Sequence, residues 1–331
     1  MIERTGSSYL KREQNRVIRQ QEELPDEFTD IGLSNGYMAL IYADGDQLGQ
    51  ALNACRTLPD IQTMALTLYD IVETAKISAV HRQSLGSHQF DTLLQGGDDL
   101  ILAVPANDAL DIALHLSETF HAETTKRLPK PHTLSTAVVW AHVNFPFSTW
   151  LDIAESALKF AKKDGAIRGL SGGLVNFLMI SSSHHLDFQE LYKHSLTATD
   201  AQERQIYRTL RAYTIDDLRC LQDYRRQLCR MSRSKLETLR QSTFQPLNRA
   251  TFEALRVLVH WRDETSRRIL MHMIDDLVYR RTGRHGRALF PFVEMPPQDG
   301  GTSTKSYYTP LFDLAELWDF MDGDGHEART H

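Results

Sequence analysis

The chain has 331 residues, 41% hydrophobic and 24% charged, with a formal net charge of −6. That is the composition of a soluble globular protein holding one large or two ordinary domains. No run approaches the ~18 apolar residues of a membrane span, the first residues (MIERTGSSYLKREQNRVIRQ) lack a signal-peptide core, and Cys55, Cys220 and Cys229 form no CxxC pair. Membrane-spanning, disulfide-framework and zinc-ribbon classes are thereby excluded, and a cytoplasmic location is expected.

Residues 1–30 read as a charged lead-in, with a helix near Glu13–Leu24 ended by Pro25. Residues 37–43 form an apolar strand that runs into Asp44-Gly45-Asp46. A helix is expected over 47–57, and a second from Pro59 to about Gln83. In the second, Ile61, Met64, Ala65, Leu68, Ile71, Val72 and Ala75 fall on one face as core. Strands over 88–94 and 99–104 flank Gly96-Gly97-Asp98-Asp99, a glycine-turn hairpin. Pro105 and Asn107 stop the second strand and cap a helix to about Lys126. A β-branched strand spans 133–143, Ser148 caps a helix through Lys163, and residues 173–180 form a last strand. The order contains βαββαβ, the ferredoxin-like arrangement, an antiparallel sheet with helices on one face.

Beyond Ser181 the composition shifts. Helices are expected near 187–195, 200–211, 214–230, 232–240, 248–261 and 263–281. A Pro/Gly/Ser/Thr-rich loop over 291–310, a short helix from Leu311 to Met321 and a flexible tail follow. The fold class is therefore α+β: a palm over 31–183, an all-α region over 184–290, and a loop, short helix and tail over 291–331. Residues 201–290 carry 19 Lys/Arg against 10 Asp/Glu. Such an excess suits contact with RNA or an acidic partner, or a solvated helix face.

The chemistry sits at two acidic turns. If the strand over 37–43 lies beside the hairpin, Asp44 meets Asp98 and Asp99 at one edge of the sheet. Adjacent carboxylates repel and call for a cation. Carboxylates converging from two strands make a hard oxygen site for Mg²⁺ or Mn²⁺, of the type that serves in-line nucleotidyl transfer. His184-His185 reads as capping or surface, and Gly172-Gly173 as a turn before a strand.

Four pieces, YADGDQLG (42–49), LLQGGDDLILAVP (93–105), the Ser135 strand with Pro146 after it, and AESALKFAKKDG (154–165), resemble the second palm domain of the large, polymerase-like subunit of type III CRISPR effector complexes. YTIDDLRCL (213–221) and SRSKLETLR (232–240) look like the helical domain that follows that palm. The resemblance implies a cyclic oligoadenylate synthase using ATP. Asp44 and Asp98 would bridge two divalent ions, with Asp99 adding charge and Asp46 supporting the site. It further implies a backbone cradle at Gly45–Gly49 for phosphate oxygens, and at Gly96 and Gly97 a close approach to the nucleotide. Lys162 would reach the triphosphate, as in the related GGDEF cyclases, and Lys163 could share that role. A Lys-Lys pair ending a helix also suits the helix dipole without any ligand. The Asp-Asp-Leu sequence departs from the Glu-Phe of GGDEF enzymes.

The chain has no His-Asp dipeptide, no cysteine-bearing zinc module and no first palm upstream. A lone palm would then pair with a second copy, as a homodimer, or with another palm-bearing chain. The competing reading is a scaffold that binds RNA or a small helical CRISPR subunit through 201–290. A templated polymerase ranks last, for want of finger and thumb domains.

Overall fold

The computed structural model describes residues 27–32, 35–53, 55–86, 89–180, 187–297 and 305–320. The expected helix at Glu13–Leu24, the His184-His185 pair and the tail beyond Phe320 lie outside these residues.

A one-turn helix α1 (Phe28–Ile31) precedes the central strand β1 (Tyr37–Gly45). Helix α2 (Leu48–Asn53) and the long α3 (Leu58–Arg82) follow. The hairpin is β2 (Asp91–Gly96) and β3 (Asp99–Pro105), then come α4 (Ala109–Arg127), β4 (Leu134–His142), α5 (Phe147–Ile167) and β5 (Leu174–Met179). The sheet order is β2-β3-β1-β4-β5, with the two-residue β8 (Tyr213–Thr214) closing the far edge. β1 pairs antiparallel with β3 (Ala43 opposite Leu100) and with β4 (Asp44 opposite Ser135).

β1 is buried on both faces, which is why it reads as an apolar run and not as an alternation. Ala39, Ile41 and Ala43 face one core with α3 and α4, while Met38 and Leu40 face a second core with Trp150, Ile153, Ala154 and Ala157 of α5. The ferredoxin-like heart therefore has its two helices on one face, as expected, but the palm as a whole is covered on both. α5 is the crossover from β4 to β5, and those two strands are parallel. A parallel pair needs such a crossover, and it must cover a face.

Several boundaries shift. α4 starts after Asp108 instead of being capped by Asn107, and α5 starts after Pro146 with Ser148 inside its first turn. α5 continues past Lys163 to Ile167. α3 opens with a capping box, Thr57 to Asp60. Its core face begins only at Leu68: Ile61 and Ala65 are exposed and Met64 is half-buried. Leu58 is 83% exposed and Leu66 64%.

The region after the palm is helical but not all-α. It holds α6 (Phe188–Leu191), a π-helical turn Tyr192–Leu196, α7 (Ile215–Gln227), α8 (Arg233–Ser242), α9 (Leu247–Val259) and α10 (Glu264–Thr282). The expected helix at 200–211 is instead the turn after β6 (Thr197–Thr199) and the strand β7 (Gln205–Tyr207), and the expected loop at 291–310 holds β10 (Phe292–Met295) and β11 (Ser306–Tyr308). With β9 (Arg287–Leu289) they form a second, five-stranded sheet, ordered β6-β7-β11-β10-β9. Ile206 and Leu210 imitate a helical i, i+4 pair, but threonines and the Asp200–Glu203 turn, with Glu203 at φ 58°, favour the hairpin. Helix α11 (Leu311–Leu317) ends the described chain.

Candidate active site

The site forms where β1 ends beside the β2–β3 hairpin. The turn between those strands has two residues, Gly97 and Asp98, and Gly97 sits at φ +70°, a left-handed conformation that a side chain would strain. The β1–β3 register places the hairpin tip beside Asp44. Gly45 makes this closeness possible. A Cβ there would lie 3.1 Å from the Asp98 Cβ and Oδ2, and 2.1 Å from Leu48 Cδ1.

Asp44 stands near enough to Asp98 and Asp99 to hold the proton on each more tightly. Burial, with Asp44 and Asp99 beside it, pushes the Asp98 carboxyl up to about 6. Burial and then Asp44 raise Asp99 as well, against the opposing pull of Lys162. The expected convergence of Asp44, Asp98 and Asp99 is thus what the fold produces, and it is electrostatically uncomfortable without a cation.

Lys162 of α5 answers part of that need. Its ammonium donates to Asp44 Oδ2 and, at 2.9 Å, to the carbonyl of Gly45, and lies 3.8 Å from Asp46 Oδ1. Lys163 points to solvent, so Lys162 alone serves the carboxylates. Among the described residues, no three His, Cys, Asp or Glu side chains stand as a ready-made metal cage. The donor set nevertheless suits a hard divalent ion: carboxylate and carbonyl oxygens only, with an ammonium seated against two of them.

Asp46 has a different job. It is 7% exposed and accepts from Thr133 Oγ1 (2.8 Å), Ser135 Oγ (2.8 Å) and the Gly173 backbone N–H (2.8 Å). It ties the end of β1 to β4 and to the loop before β5. Gly172, at φ +118°, lies so close that a Cβ would come within 2.3 Å of Asp46 Oδ2. The Gly172-Gly173 turn is therefore part of the site's scaffold.

Thr133 and the anchoring role of Ser135 escape the sequence, as does Glu155. The last raises the Tyr42 hydroxyl, after burial and Asp99, and so flanks the site. Its one visible signal is spacing: Glu155 precedes Lys162 by seven residues, two turns on the same helix face. Gln47 adopts φ 60°, unusual for a non-glycine residue. It lines, with Asp46, Lys162, Ala166, Ser171 and Gly172, a cavity of about 190 Å³ beside the ammonium. At Gly49, Gly96 and Gly97 a Cβ would meet nothing within 4 Å, so no protein neighbour demands glycine there.

Residues 37–168 match the family described as Cas10/Cmr2, second palm domain. The matched stretch, under half of the chain, runs from the start of β1 through α5 and so contains both acidic turns and Lys162. No curated protein matches the chain. Among solved structures, Csm1 of T. onnurineus is 12% identical over 77% of this chain and 36% of its own, with a TM-score of 0.47. The apo Csm1–Csm4 cassette is 15% identical over 74% and 34%, TM-score 0.42. A Csm1–Csm4 cassette in complex with pppApA is 14% identical over 45% and 22%, TM-score 0.37. The chain thus spans about a third or less of these structures' length.

Proposed function

We propose that this Cas10/Cmr2-type palm is a metal-dependent nucleotidyltransferase that converts ATP into cyclic oligoadenylate in CRISPR-type antiphage signalling. The observation that carries the reading is the meeting of Asp44, Asp98 and Asp99 with Lys162 at the end of the central strand. In the reaction a 3′-hydroxyl oxygen bonds to the α-phosphorus of the next ATP, the bond to pyrophosphate breaks, and the hydroxyl proton leaves to water. Asp44, Asp98 and the Gly45 carbonyl would hold Mg²⁺ or Mn²⁺, with Asp99 adding charge. When bound, the metal would acidify the hydroxyl and neutralise the phosphate charge.

Lys162 turns from Asp44 to the triphosphate once those carboxylates are engaged, and the cavity beside it takes the phosphate tail. The backbone at Gly45–Gly49, which leads into α2, would approach the phosphate oxygens. Gly96 and Gly97 leave the hairpin tip bare on the nucleotide side. A second nucleotide needs a second surface. Pairing with another palm, in a second copy or a separate chain, would cover Leu58, Ile61, Leu66 and Tyr69, which α3 leaves exposed. No helix among the described residues is long and apolar enough to cross a membrane, and a role of this kind belongs to the cytoplasm.

The scaffold reading, with RNA or a small helical CRISPR subunit on 201–290, draws less support. Many arginines there already have partners: Arg219 holds Glu118 and Asp111, Arg240 holds Glu237, Arg280 holds Asp276 and Arg281 holds Asp164. The deciding experiment incubates the protein with each of the four NTPs and Mn²⁺ and reads the products by mass spectrometry, beside an Asp98→Asn/Asp99→Asn double variant. A cyclic adenylate made by the wild type and lost in the variant is expected. If no NTP turns over, alone or with palm-bearing partner chains, the reading fails.

A further inference from the structure

Lys162 is not held from the palm alone. Two residues further along α5, about 200° round the helix, Asp164 points away from the acidic site. Arg281, near the end of α10, grips it with both guanidinium nitrogens, Nη1 to Oδ2 at 2.8 Å and Nη2 to Oδ1 at 2.7 Å. Both partners are only 14% exposed. The fork is fixed in turn: Arg281 Nη1 also donates to the Ala212 carbonyl at 3.1 Å. Arg168, one turn beyond Asp164, shares its carboxylate at 3.1 Å and donates to the same Ala212 carbonyl at 3.0 Å. Between the two gripped positions α5 is pressed against the sheet, where a Cβ on Gly165 would come within 2.8 Å of Leu174 Cδ1.

We infer that Arg281 is a positioning residue for Lys162: the helical region holds α5 by Asp164, and that grip sets the rotation and height at which Lys162 meets the carboxylates. A bidentate arginine–carboxylate pair fixes orientation as well as distance, and partial burial strengthens it. A helix end held on one side alone can rock, and a misplacement of about 1 Å in a positioned group is enough to cost the reaction it serves. The proposal rests on the nucleotidyltransferase reading only where Lys162 serves the triphosphate.

The first test needs no ligand. Full-length wild type, Arg281→Ala, Arg281→Lys and Asp164→Asn are pulsed with acetic anhydride, and Lys162 and Lys163 are followed by mass spectrometry. Lys163 is exposed and serves as the internal reference. In the wild type Lys162 should label more slowly than Lys163. In Arg281→Ala the Lys162 rate should rise roughly threefold or more through local loosening of the helix end, with Lys163 unchanged and Arg281→Lys intermediate. Asp164→Asn keeps the side-chain shape and gives the same readout should Arg281→Ala fail to fold. Wild-type Lys162 labelling in a folded Arg281→Ala or Asp164→Asn would overturn the proposal.

The second arm measures affinity for a non-hydrolysable ATP analogue with Mn²⁺. Arg281→Ala should weaken binding in the wild type and have no further effect in a Lys162→Ala background. Equal weakening in both backgrounds would mean that Arg281 acts otherwise than through Lys162. If the wild type binds no analogue, the nucleotidyltransferase reading falls, and the labelling arm still decides whether Arg281 holds Lys162.

Discussion

At the scale of single residues, Asp98 is where stability and function pull apart. Its carboxyl sits at about 6 against an ordinary 3.8, so the charged form is the costly one. Below about pH 4 the folded and unfolded states both hold the proton and the cost is absent. It grows from pH 4 to 6 and is complete above 6. Asp98→Asn should therefore stabilise the metal-free protein at pH 8 by about 1 kcal/mol, once solvent screening of a half-buried group is allowed for, and so raise its melting temperature. Mn²⁺ should stabilise the wild type and leave the variant unmoved. Because metal and proton compete for the same oxygens, Mn²⁺ affinity should climb as the pH rises from 5 to 7. Calorimetric scans with and without Mn²⁺ check all three. A destabilised Asp98→Asn together with an indifferent wild type would leave the acidic cluster without a cation role. Asp44, Asp98 and Asp99 were legible in the sequence because turn glycines and paired carboxylates are local signals, whereas Lys162 was singled out only through the family resemblance. Thr133 and Glu155 were not legible, because each acquires its meaning from a neighbour distant in sequence.

At the scale of elements, the two aspartates of Asp44-Gly45-Asp46 should behave as opposites. Asp44 faces the site and Lys162, whereas Asp46 stitches β1 to β4 and to the Gly172-Gly173 loop. Asp46→Asn removes the charge from a buried acceptor of several hydrogen bonds and should cost about 2–4 kcal/mol in urea unfolding. Asp44→Asn should leave stability near the wild-type value while abolishing turnover. Equal losses for the two would mean that Asp46 is not the anchor. Gly172→Ala belongs with Asp46→Asn, since its Cβ meets that carboxylate and its φ is left-handed. The strands and helices of the palm were readable because each is a long, patterned run. The second face of the sheet was harder to read: α5 looks like any amphipathic helix, and only the parallel β4–β5 register reveals which side it covers. The short strands β6, β7, β10 and β11 have three or four residues each, too few for a period to register, and one of the four pairings among them and β9, that of β7 with β11, joins segments about a hundred residues apart.

At the scale of the whole molecule, the expected division into palm, helical region and tail meets an uninterrupted interior. Leu110 and Leu114 of the palm share one core with Leu218, Leu221, Leu270 and Ile274 of the helical region and with Leu311 and Leu314 of α11. Arg211, fully buried, binds Asp313 at 2.9 Å, Glu316, and the carbonyl of Phe177 in β5 at 2.7 Å. Tyr213 and Thr209 donate to the same Asp313 at 2.6 Å. Phe320 stacks on Trp140 of the palm with ring centroids 5.1 Å apart. Removing one partner from a buried ionic network strands the other charge, at a cost of about 3–5 kcal/mol. Asp313→Ala should therefore weaken the palm as well as the helical region. The tryptophans offer a direct reading, since Trp140 and Trp150 lie in the palm and Trp261 and Trp318 outside it. Urea unfolding followed through single-tryptophan versions of the chain should give coincident transitions at all four positions, and Asp313→Ala should move them together to lower urea. If instead the palm tryptophans keep their midpoint while Trp261 and Trp318 shift, the palm folds as an independent unit, and the shared core contributes little to holding the active-site strand in place.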